Sequence, residues 1–286
     1  GLRQDCMLKL RIITALILLA VFLPAFLADS ADFLAWLTLV LIAAGAWEWG
    51  RLMGLPTARA LGLGLTCVAI CLSSWKLFEL PQHTTPNLWL WAGALWVLVS
   101  AWMLRSGLAA WSGLHLATKL AGGTLALWLC WLAIFQAKRV GINYMLSIFV
   151  LVWIADIAAY FAGRAFGRRK LAPSLSPSKS WEGVWGGTCA VWVIANLWVW
   201  ADQQALFDSP SIYSLLYAHG WIYFLVSITF LTAMSVVGDL VESMVKRTAG
   251  VKDSSQLLPG HGGVLDRVDA LLPTLPLAMM LSQAVV

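Results

Sequence analysis

A polar segment near the C-terminus, residues 239–269, concentrates side chains that are suited to chemistry. It lies between two apolar runs, residues 221–238 and 270–286, and it holds five acidic and four basic residues. These residues are Asp239, Glu242, Asp253, Asp266, Asp269, Lys246, Arg247, Lys252 and Arg267. Carboxylates bind divalent cations and cationic side chains bind phosphates, so the segment indicates phosphoryl or nucleotidyl transfer.

The spacing of these residues predicts one functional helix face. Glu242 and Ser243 follow Asp239 by three and four residues, and Lys246 comes one turn later. Side chains three or four residues apart lie on the same face of a helix. We therefore expect this face to line a pocket. We also expect Asp266, from further along the chain, to meet Asp239 on one hard cation with oxygen ligands.

A glycine-rich turn precedes Asp266. Residues 259–263 read Pro-Gly-His-Gly-Gly, and such a turn can bring backbone N–H groups against phosphate oxygens. We interpret His261 as a hydrogen-bond donor or loop organiser rather than a general acid. The alternative is a solvated, salt-bridged loop, which explains the charges but not the glycines.

Two further carboxylates lie within or beside apolar runs. Asp156 lies in the middle of one run, and we expect it to serve the site because an ionisable group inside a membrane is costly. The alternative is a structural partner, such as Tyr160 one turn away or a cation from another helix. Glu48, within Ala-Trp-Glu-Trp-Gly at residues 46–50, is interpreted as an interfacial contact rather than a catalyst.

A basic loop with two prolines follows the apolar run of Asp156. Residues 168–170 are Arg-Arg-Lys, which indicates either an inside-positive anchor or a site that attracts an anionic lipid. Lys179 is a candidate phosphate contact, and Glu182 is a helix-start acid or a supporting ligand. The glycine pair at residues 186–187 allows another helix or a ligand to approach closely.

The composition indicates a membrane protein. Of the 286 residues, 60% are hydrophobic and 12% are charged, whereas about a quarter of a soluble domain is charged. The 18 tryptophans fit this class, because indole rings favour the membrane interface. The five cysteines show no CxxC spacing and are interpreted as apolar filler. The net charge of +5 follows the membrane topology and does not indicate nucleic-acid binding.

Nine apolar runs predict an all-α, polytopic membrane protein with about nine transmembrane helices. The runs cover residues 12–27, 33–47, 60–78, 88–104, 117–135, 144–162, 184–200, 221–237 and 270–286. Helices are favoured because, in lipid, each backbone polar group must be satisfied within its own segment. Most of the 19 basic residues then fall on one side, which predicts a cytoplasmic N-terminus and a cytoplasmic polar segment.

The chain is predicted to divide into two parts by chemistry. Residues 1–140 are interpreted as supporting membrane helices and candidates for dimer contacts, and residues 141–286 as the catalytic half. The first apolar run is interpreted as a retained span rather than a cleaved signal. Met7 looks like a natural start, so residues 1–6 are interpreted as a leader or a cloning remnant.

The polar segment also contains a longer series of serine, charged, histidine and glycine residues at fixed spacing. The matching positions are Ser243, Lys246-Arg247, Lys252-Asp253, His261, Gly262, Gly263, Asp266-Arg267 and Asp269. In this spacing the chain resembles the phosphatidate cytidylyltransferases, also called CDP-diacylglycerol synthases. Residues 176–183 resemble the family's upstream loop, with Ser178 where a lysine is common, and residues 46–50 are similar too.

The resemblance implies a reaction in which CTP and phosphatidic acid give CDP-diacylglycerol and pyrophosphate during phospholipid biosynthesis. It implies Mg²⁺, with K⁺ as a candidate second cation, and Asp239 and Asp266 as the metal ligands. It also implies a helical homodimer in the membrane. We expect the bacterial inner membrane, with the active site on the cytoplasmic side where CTP is found.

The residues are assigned to three groups. The catalytic residues are Asp239, Asp266, Lys246 and Lys252. The substrate-binding residues are Lys179, Arg247, His261, Gly262, Gly263, Arg267 and Ser243. The supporting residues are Asp156, Glu182, Glu242, Asp253 and Asp269.

Two other readings remain open from the residues. A related CTP-dependent enzyme, such as a polyprenol kinase or an archaeal-lipid cytidylyltransferase, would use another lipid. An ion-coupled transporter would bind its ion at Asp156 and Asp239. Transporters of that kind show paired broken helices in two related halves, and this sequence shows no such internal symmetry.

Overall fold

The structure is a computed structural model that describes residues 2–83 and 85–283, without the side chains of residues 2–12, 15 and 283. Its helices are α1 (Leu2–Leu27), α2 (Ala31–Leu52), α3 (Thr57–Lys76), a 3₁₀ turn (Leu80–Gln82), α4 (Pro86–Gly113), α5 (Leu116–Val140), α6 (Ile142–Phe166), α7 (Trp181–Gln203), α8 (Ile212–Tyr217), α9 (Trp221–Thr248), α10 (Leu265–Val268) and α11 (Leu271–Gln283). Strands β1 (Lys170–Ala172) and β2 (Ser176–Ser180) form an antiparallel hairpin between α6 and α7. The predicted all-α class is confirmed, with this hairpin as a small addition.

Within the described residues, seven helices are long and apolar enough to cross a membrane, namely α2 to α7 and α9. The other two predicted spans coincide with α1 and α11. Within α1, the stretch Leu16–Leu27 is apolar and its side chains are all described, and α11 has 13 residues. Residues 284–286 of the last predicted span lie outside the described residues. The total of nine spans and the cytoplasmic N-terminus therefore stay predictions.

A large hydrophobic core draws side chains from both predicted halves, and α5 contributes many of them. Phe135 of α5 packs edge-on against Trp75 of α3, with ring centroids 4.9 Å apart. Trp131 of α5 is fully buried and donates its indole N–H to the Ala35 carbonyl of α2 at 3.1 Å, which satisfies its polar end. Leu275 of α11 is fully buried in the same core. Many large apolar side chains stay exposed on the outer faces, as lipid contact requires.

Small residues set the close packing of α6 on α7. A side chain at Gly187 would place its Cβ 2.7 Å from the Ala155 carbonyl oxygen, and one at Gly183 would lie 2.8 Å from the Ala159 carbonyl oxygen. Glycine removes these clashes and lets the two backbones approach. The expectation that a helix approaches the 186–187 pair is confirmed. This packing brings the start of α7, and β2 before it, next to the Asp156 face of α6.

The end of α2 is fixed against its neighbours by the residues that flank Glu48. Trp49 donates its indole N–H to the Lys119 carbonyl at 3.0 Å, and its ring lies where a side chain at Gly123 would be. A Cβ at Gly50 would lie 3.1 Å from Ala60 on α3. These contacts hold the last turns of α2 in one position, and Glu48 points into the protein with none of its surface exposed.

We predict that Gly187→Ala destabilises the protein although alanine is the better helix former. The added methyl must displace the α6 backbone, and overpacking of this kind costs about 1–3 kcal/mol. Thermal unfolding of the detergent-solubilised protein, followed by tryptophan fluorescence, should show a lower Tm. Gly122→Ala is the matched control, because a Cβ there meets nothing within 4 Å. Equal Tm values for the two variants would contradict the packing described for α6 and α7.

Candidate active site

Two lysines are paired with carboxylates at the end of α9. Lys179 of β2 lies 2.5 Å from Asp239, measured from Nζ to Oδ2. The Nζ atom of Lys246 lies 2.5 Å from Glu242 Oε2 and 2.6 Å from Asp266 Oδ1. The ion pairs of Lys246 are more buried than the Lys179–Asp239 pair, because the side chains of Glu242 and Asp266 are only 5% and 8% exposed. The side chain of Asp239 is 29% exposed, so the Lys179–Asp239 pair forms the accessible edge.

The predicted helix face of Asp239, Ser243 and Lys246 is confirmed. Ser243 Oγ donates to Asp239 Oδ1 at 3.2 Å, one turn apart on α9. The predicted apolar span ends at residue 237, and the helix itself continues to Thr248, as the predicted helix face requires. Glu242, Lys246 and their neighbours are good helix formers, so the helix extends past the apolar residues. The site is therefore built on a rigid helix.

The chain between α10 and α11 packs directly beside Asp239. A Cβ at Gly238 would lie 2.5 Å from the Asp269 carbonyl oxygen and 2.8 Å from Pro273 Cγ, so glycine is required there. Asp269 is half-buried, and its partial loss of hydration, with the nearby Asp239 carboxylate, raises the pKa of Asp269 to about 7. Asp269 also interacts electrostatically with Lys179 and Lys246.

The result is a cluster that combines acids and cations from three parts of the chain. Its members are Asp239, Glu242, Asp266, Asp269, Lys179 and Lys246. Asp156 of α6 belongs to its edge, because it interacts electrostatically with Lys179 and Asp239. Lys179 is a cation from another element, as the structural alternative for Asp156 allows, so a role of Asp156 in the site stays a prediction. Its predicted alternative partner, Tyr160, instead lies 3.4 Å from Arg164, which donates to its hydroxyl.

Asp266 is held by backbone as well as by Lys246. Its Oδ2 atom accepts from Gly263 N at 2.8 Å, from Ser254 N at 2.9 Å and from Ser254 Oγ at 3.0 Å. Burial alone would raise the pKa of Asp266, but the hydrogen bonds from Lys246, Gly263 and Ser254 outweigh it and hold the pKa below its ordinary value. Asp266 is therefore a carboxylate at neutral pH, in a fixed orientation.

The glycine turn at residues 259–263 mainly supports Asp266. Gly260 and Gly262 have positive φ values of 75° and 81°, which favour glycine. A Cβ at Gly262 would also lie 2.8 Å from Asp266 Oδ2. The backbone N–H groups of this turn were predicted to contact phosphate. At two positions the structure shows them bonded within the protein instead. His261 N donates to the Leu258 carbonyl and Gly263 N to Asp266, so these groups are already used within the loop.

The two arginines of the segment also donate to backbone carbonyls. Arg267 Nε donates to the His261 carbonyl at 2.9 Å, and Arg247 Nε donates to the Leu175 carbonyl of the β1–β2 turn at 3.3 Å. His261 keeps one buried ring nitrogen, Nδ1, without a hydrogen-bond partner. The interpretation of His261 as a loop organiser agrees with its backbone contacts, and a direct substrate contact through Nδ1 stays a prediction.

The remaining assigned residues lie around this centre. Lys252 and Asp253 are exposed on the turn after α9, so both are open to solvent and to a ligand. Glu182 accepts the backbone N–H groups of Arg168 and Arg169 at 3.1 and 3.2 Å. This confirms Glu182 as an acid at the start of α7. It holds the basic loop in place, and the structure shows no metal-ligand role for it among the described residues.

The hydrogen bonds that Glu48 accepts from the loop before Asp266 were not predicted from the sequence. Its Oε1 accepts from Ser255 Oγ at 2.5 Å and Val264 N at 2.9 Å, and its Oε2 accepts from Ser254 Oγ at 3.1 Å and Leu265 N at 2.8 Å. The interpretation as an interfacial contact is wrong, because Glu48 is completely buried. The available signal was an acid between two tryptophans, which is equally typical of a membrane interface.

The donor set suits a hard divalent cation shared with a substrate. The carboxylates of the cluster outnumber the two ammonium groups, and Glu242 Oε1 has no hydrogen-bond partner, whereas Oε2 is paired with Lys246. No group of three ligating side chains in the described part of the chain forms a ready metal site. Mg²⁺ does not need one, because it is commonly held by one or two carboxylates together with substrate phosphates. The residues present therefore fit Mg²⁺.

Comparison with known proteins agrees with this chemistry. A family model described as the cytidylyltransferase family matches residues 9–285. A phosphatidate cytidylyltransferase of Pseudomonas aeruginosa is 40% identical over 94% of this chain and 95% of its own length. A phosphatidate cytidylyltransferase of Haemophilus influenzae is 34% identical over 94% of this chain and 96% of its own. From its nearly full-length match and its polar cluster, this chain belongs to the cytidylyltransferase family.

Proposed function

We propose that this chain transfers CMP from CTP to phosphatidic acid, giving CDP-diacylglycerol and pyrophosphate for phospholipid biosynthesis. A phosphate oxygen of the lipid forms a bond to the α-phosphorus of CTP. The bond from that phosphorus to the bridging oxygen breaks, and pyrophosphate leaves with the electron pair. The observation that carries the proposal is the acid–lysine cluster on a membrane-spanning helix, in a chain whose relatives with this name match almost its full length.

The residues of the cluster fit the demands of this reaction. The attacking lipid phosphate is anionic near neutral pH, so a strong general base is not required. The barrier comes from repulsion between two polyanions and from charge that develops on the leaving pyrophosphate. Each lysine ammonium group has three N–H donors. Lys179 and Lys246 can therefore bind phosphate oxygens while they keep their carboxylate partners, and Lys252, Arg247 and Arg267 can neutralise charge further out.

Positioning supplies much of the expected acceleration. Lys246 is held between Glu242 and Asp266, and Asp266 is held by the backbone of residues 254 and 263. Fixed charges of this kind stabilise a transition state without rearranging during the reaction. We propose that Asp239 and Asp266 hold Mg²⁺, with K⁺ as a candidate second ion. The bound metal would supply positive charge to the triphosphate.

We further propose that the protein is a homodimer of the bacterial inner membrane, with its site on the cytoplasmic side. The distribution of basic residues along the sequence supports this orientation. So does the chemistry, because one substrate is anchored in lipid and the other is a cytosolic nucleotide. The accessible Lys179–Asp239 edge of the cluster offers a place where the two can meet.

We predict that the α-phosphorus of CTP, and not the γ-phosphorus, enters the lipid product. Purified protein is incubated with phosphatidic acid and CTP labelled at one of these two positions. Label from the α-position should appear in CDP-lipid, and label from the γ-position should appear in pyrophosphate. Polyprenol and an archaeal phospholipid precursor serve as alternative acceptors. Transfer of the γ-label to polyprenol would identify a lipid kinase and would exclude the proposed reaction.

We predict that Asp266→Asn lowers CDP-lipid formation by about 10²–10³-fold, the loss typical of removing one fixed electrostatic group from a site. The amide loses the negative charge that pairs with Lys246 and that would bind Mg²⁺. Turnover of labelled CTP and the Tm are both measured, because the variant should stay folded. Glu79→Gln is the control, since Glu79 is an exposed acid outside the cluster. Normal turnover by Asp266→Asn would remove Asp266 from the proposed metal site.

A further inference from the structure

We propose that Glu48 is a positioning residue for this reaction, because it holds the loop that orients Asp266. This inference rests on the function proposed above, and it adds a residue from the N-terminal part of the chain to the site. Glu48 lies more than 200 positions from the serines and amides that it binds. No hydrogen bond joins Glu48 to Asp266 in the described part of the chain, and the two carboxylates are linked through Ser254 of the loop at residues 254–265.

Each oxygen of the Glu48 carboxylate accepts two hydrogen bonds, one from a serine hydroxyl and one from a backbone N–H. Oε1 accepts from the Ser255 hydroxyl and the Val264 N–H, and Oε2 accepts from the Ser254 hydroxyl and the Leu265 N–H. Val264 and Leu265 begin the short helix α10, whose first N–H groups have no partner within the helix. Glu48 therefore joins the two ends of the loop to one buried point on α2.

Hydrogen bonds, rather than a cation, stabilise this buried charge. No lysine or arginine among the described residues forms an ion pair with Glu48, and none of its surface is exposed. A buried carboxylate without a counter-ion is costly unless its oxygens are well hydrogen-bonded. A site with this requirement selects one loop conformation, since other conformations would leave the carboxylate without donors.

Ser254 and Gly263 connect this point to Asp266. The Ser254 hydroxyl lies 3.1 Å from Glu48 Oε2 and 3.0 Å from Asp266 Oδ2, while the Ser254 N–H binds Asp266. One hydroxyl has one hydrogen to donate, so the two carboxylates share it. A Cβ at Gly263 would lie 2.6 Å from Glu48 Oε1 and would overlap Ser254 Oγ. The close approach of Ser254 and Glu48 thus requires glycine at position 263.

The chemistry of the four donors predicts that glutamine cannot replace Glu48. A serine hydroxyl can rotate and accept a hydrogen bond from an amide NH₂, but a backbone N–H cannot accept. Whichever way the glutamine side chain is turned, its NH₂ faces either the Val264 N–H or the Leu265 N–H. Glu48→Gln keeps the shape of the side chain and still repels one end of the loop.

We expect Glu48→Gln to lower kcat roughly 10–100-fold, the range typical for residues that orient a metal ligand. The KM for phosphatidic acid should change little, because Glu48 lies away from the accessible edge of the cluster. Amide hydrogen exchange of residues 254–265 should become faster, and exchange in α5 should stay as in the original protein. Thr38→Val is the matched control: this buried hydroxyl of α2 bonds only to carbonyls of its own helix, and the variant should keep its kcat.

Ser255→Ala provides a milder second variant in case Glu48→Gln folds poorly. It removes one of the four bonds to Glu48 and should give a smaller loss of kcat with faster exchange in the same loop. Unchanged kcat and loop exchange in both variants would overturn the proposal. An equal loss of kcat in Thr38→Val would overturn it too, because the effect would then be general to α2. If the unmodified protein forms no CDP-lipid, the proposed function fails, while the exchange measurement still tests the link from Glu48 to the loop.

Discussion

Lys246 joins two parts of the chain that are distant in sequence, because its ammonium group contacts Glu242 on its own helix and Asp266 beyond the glycine turn. Without that cation, two carboxylates with little exposed surface would face each other at the end of a membrane-spanning helix, at a high electrostatic cost. The arrangement of α9, the turn and α10 depends on this contact. The same contact holds an ammonium group beside an ionised acid, the two kinds of charge that the proposed reaction uses.

The site is assembled from rigid elements of both parts of the chain. Helix α9 provides Asp239 and Lys246, the hairpin before α7 provides Lys179, and the segment before α11 provides Asp266 and Asp269. Close packing of α6 on α7 through glycines fixes the position of the hairpin beside α6. Gly238 lets the backbone of Asp269 lie close to α9. The N-terminal helices also support the site, because Glu48 and Trp49, near the C-terminal end of α2, connect α5 to the loop of Asp266.

Local patterns in the sequence predicted the local features of this structure. Continuous apolar runs predicted the helices, and the spacing from Asp239 to Lys246 predicted their common face. Hydropathy detects only the apolar part of α9, up to residue 237, and the spacing of the polar side chains predicted the turns that extend the helix beyond it. The long-range pairs had no such signal. The contacts of Lys179 with Asp239 and of Glu48 with Leu265 arise from tertiary packing, and neither periodicity nor composition specifies which distant residues will meet.

The central claim is that Asp239 and Asp266 together hold a divalent cation for the nucleotide. The most direct measurement is a structure determined with CTP and Mn²⁺, in which the anomalous signal locates the metal. We expect a peak within ligand distance of both carboxylates and of CTP phosphate oxygens, with Lys246 still beside Asp266. A metal bound to the triphosphate but distant from both aspartates, or held by other acids of the chain, would contradict the account.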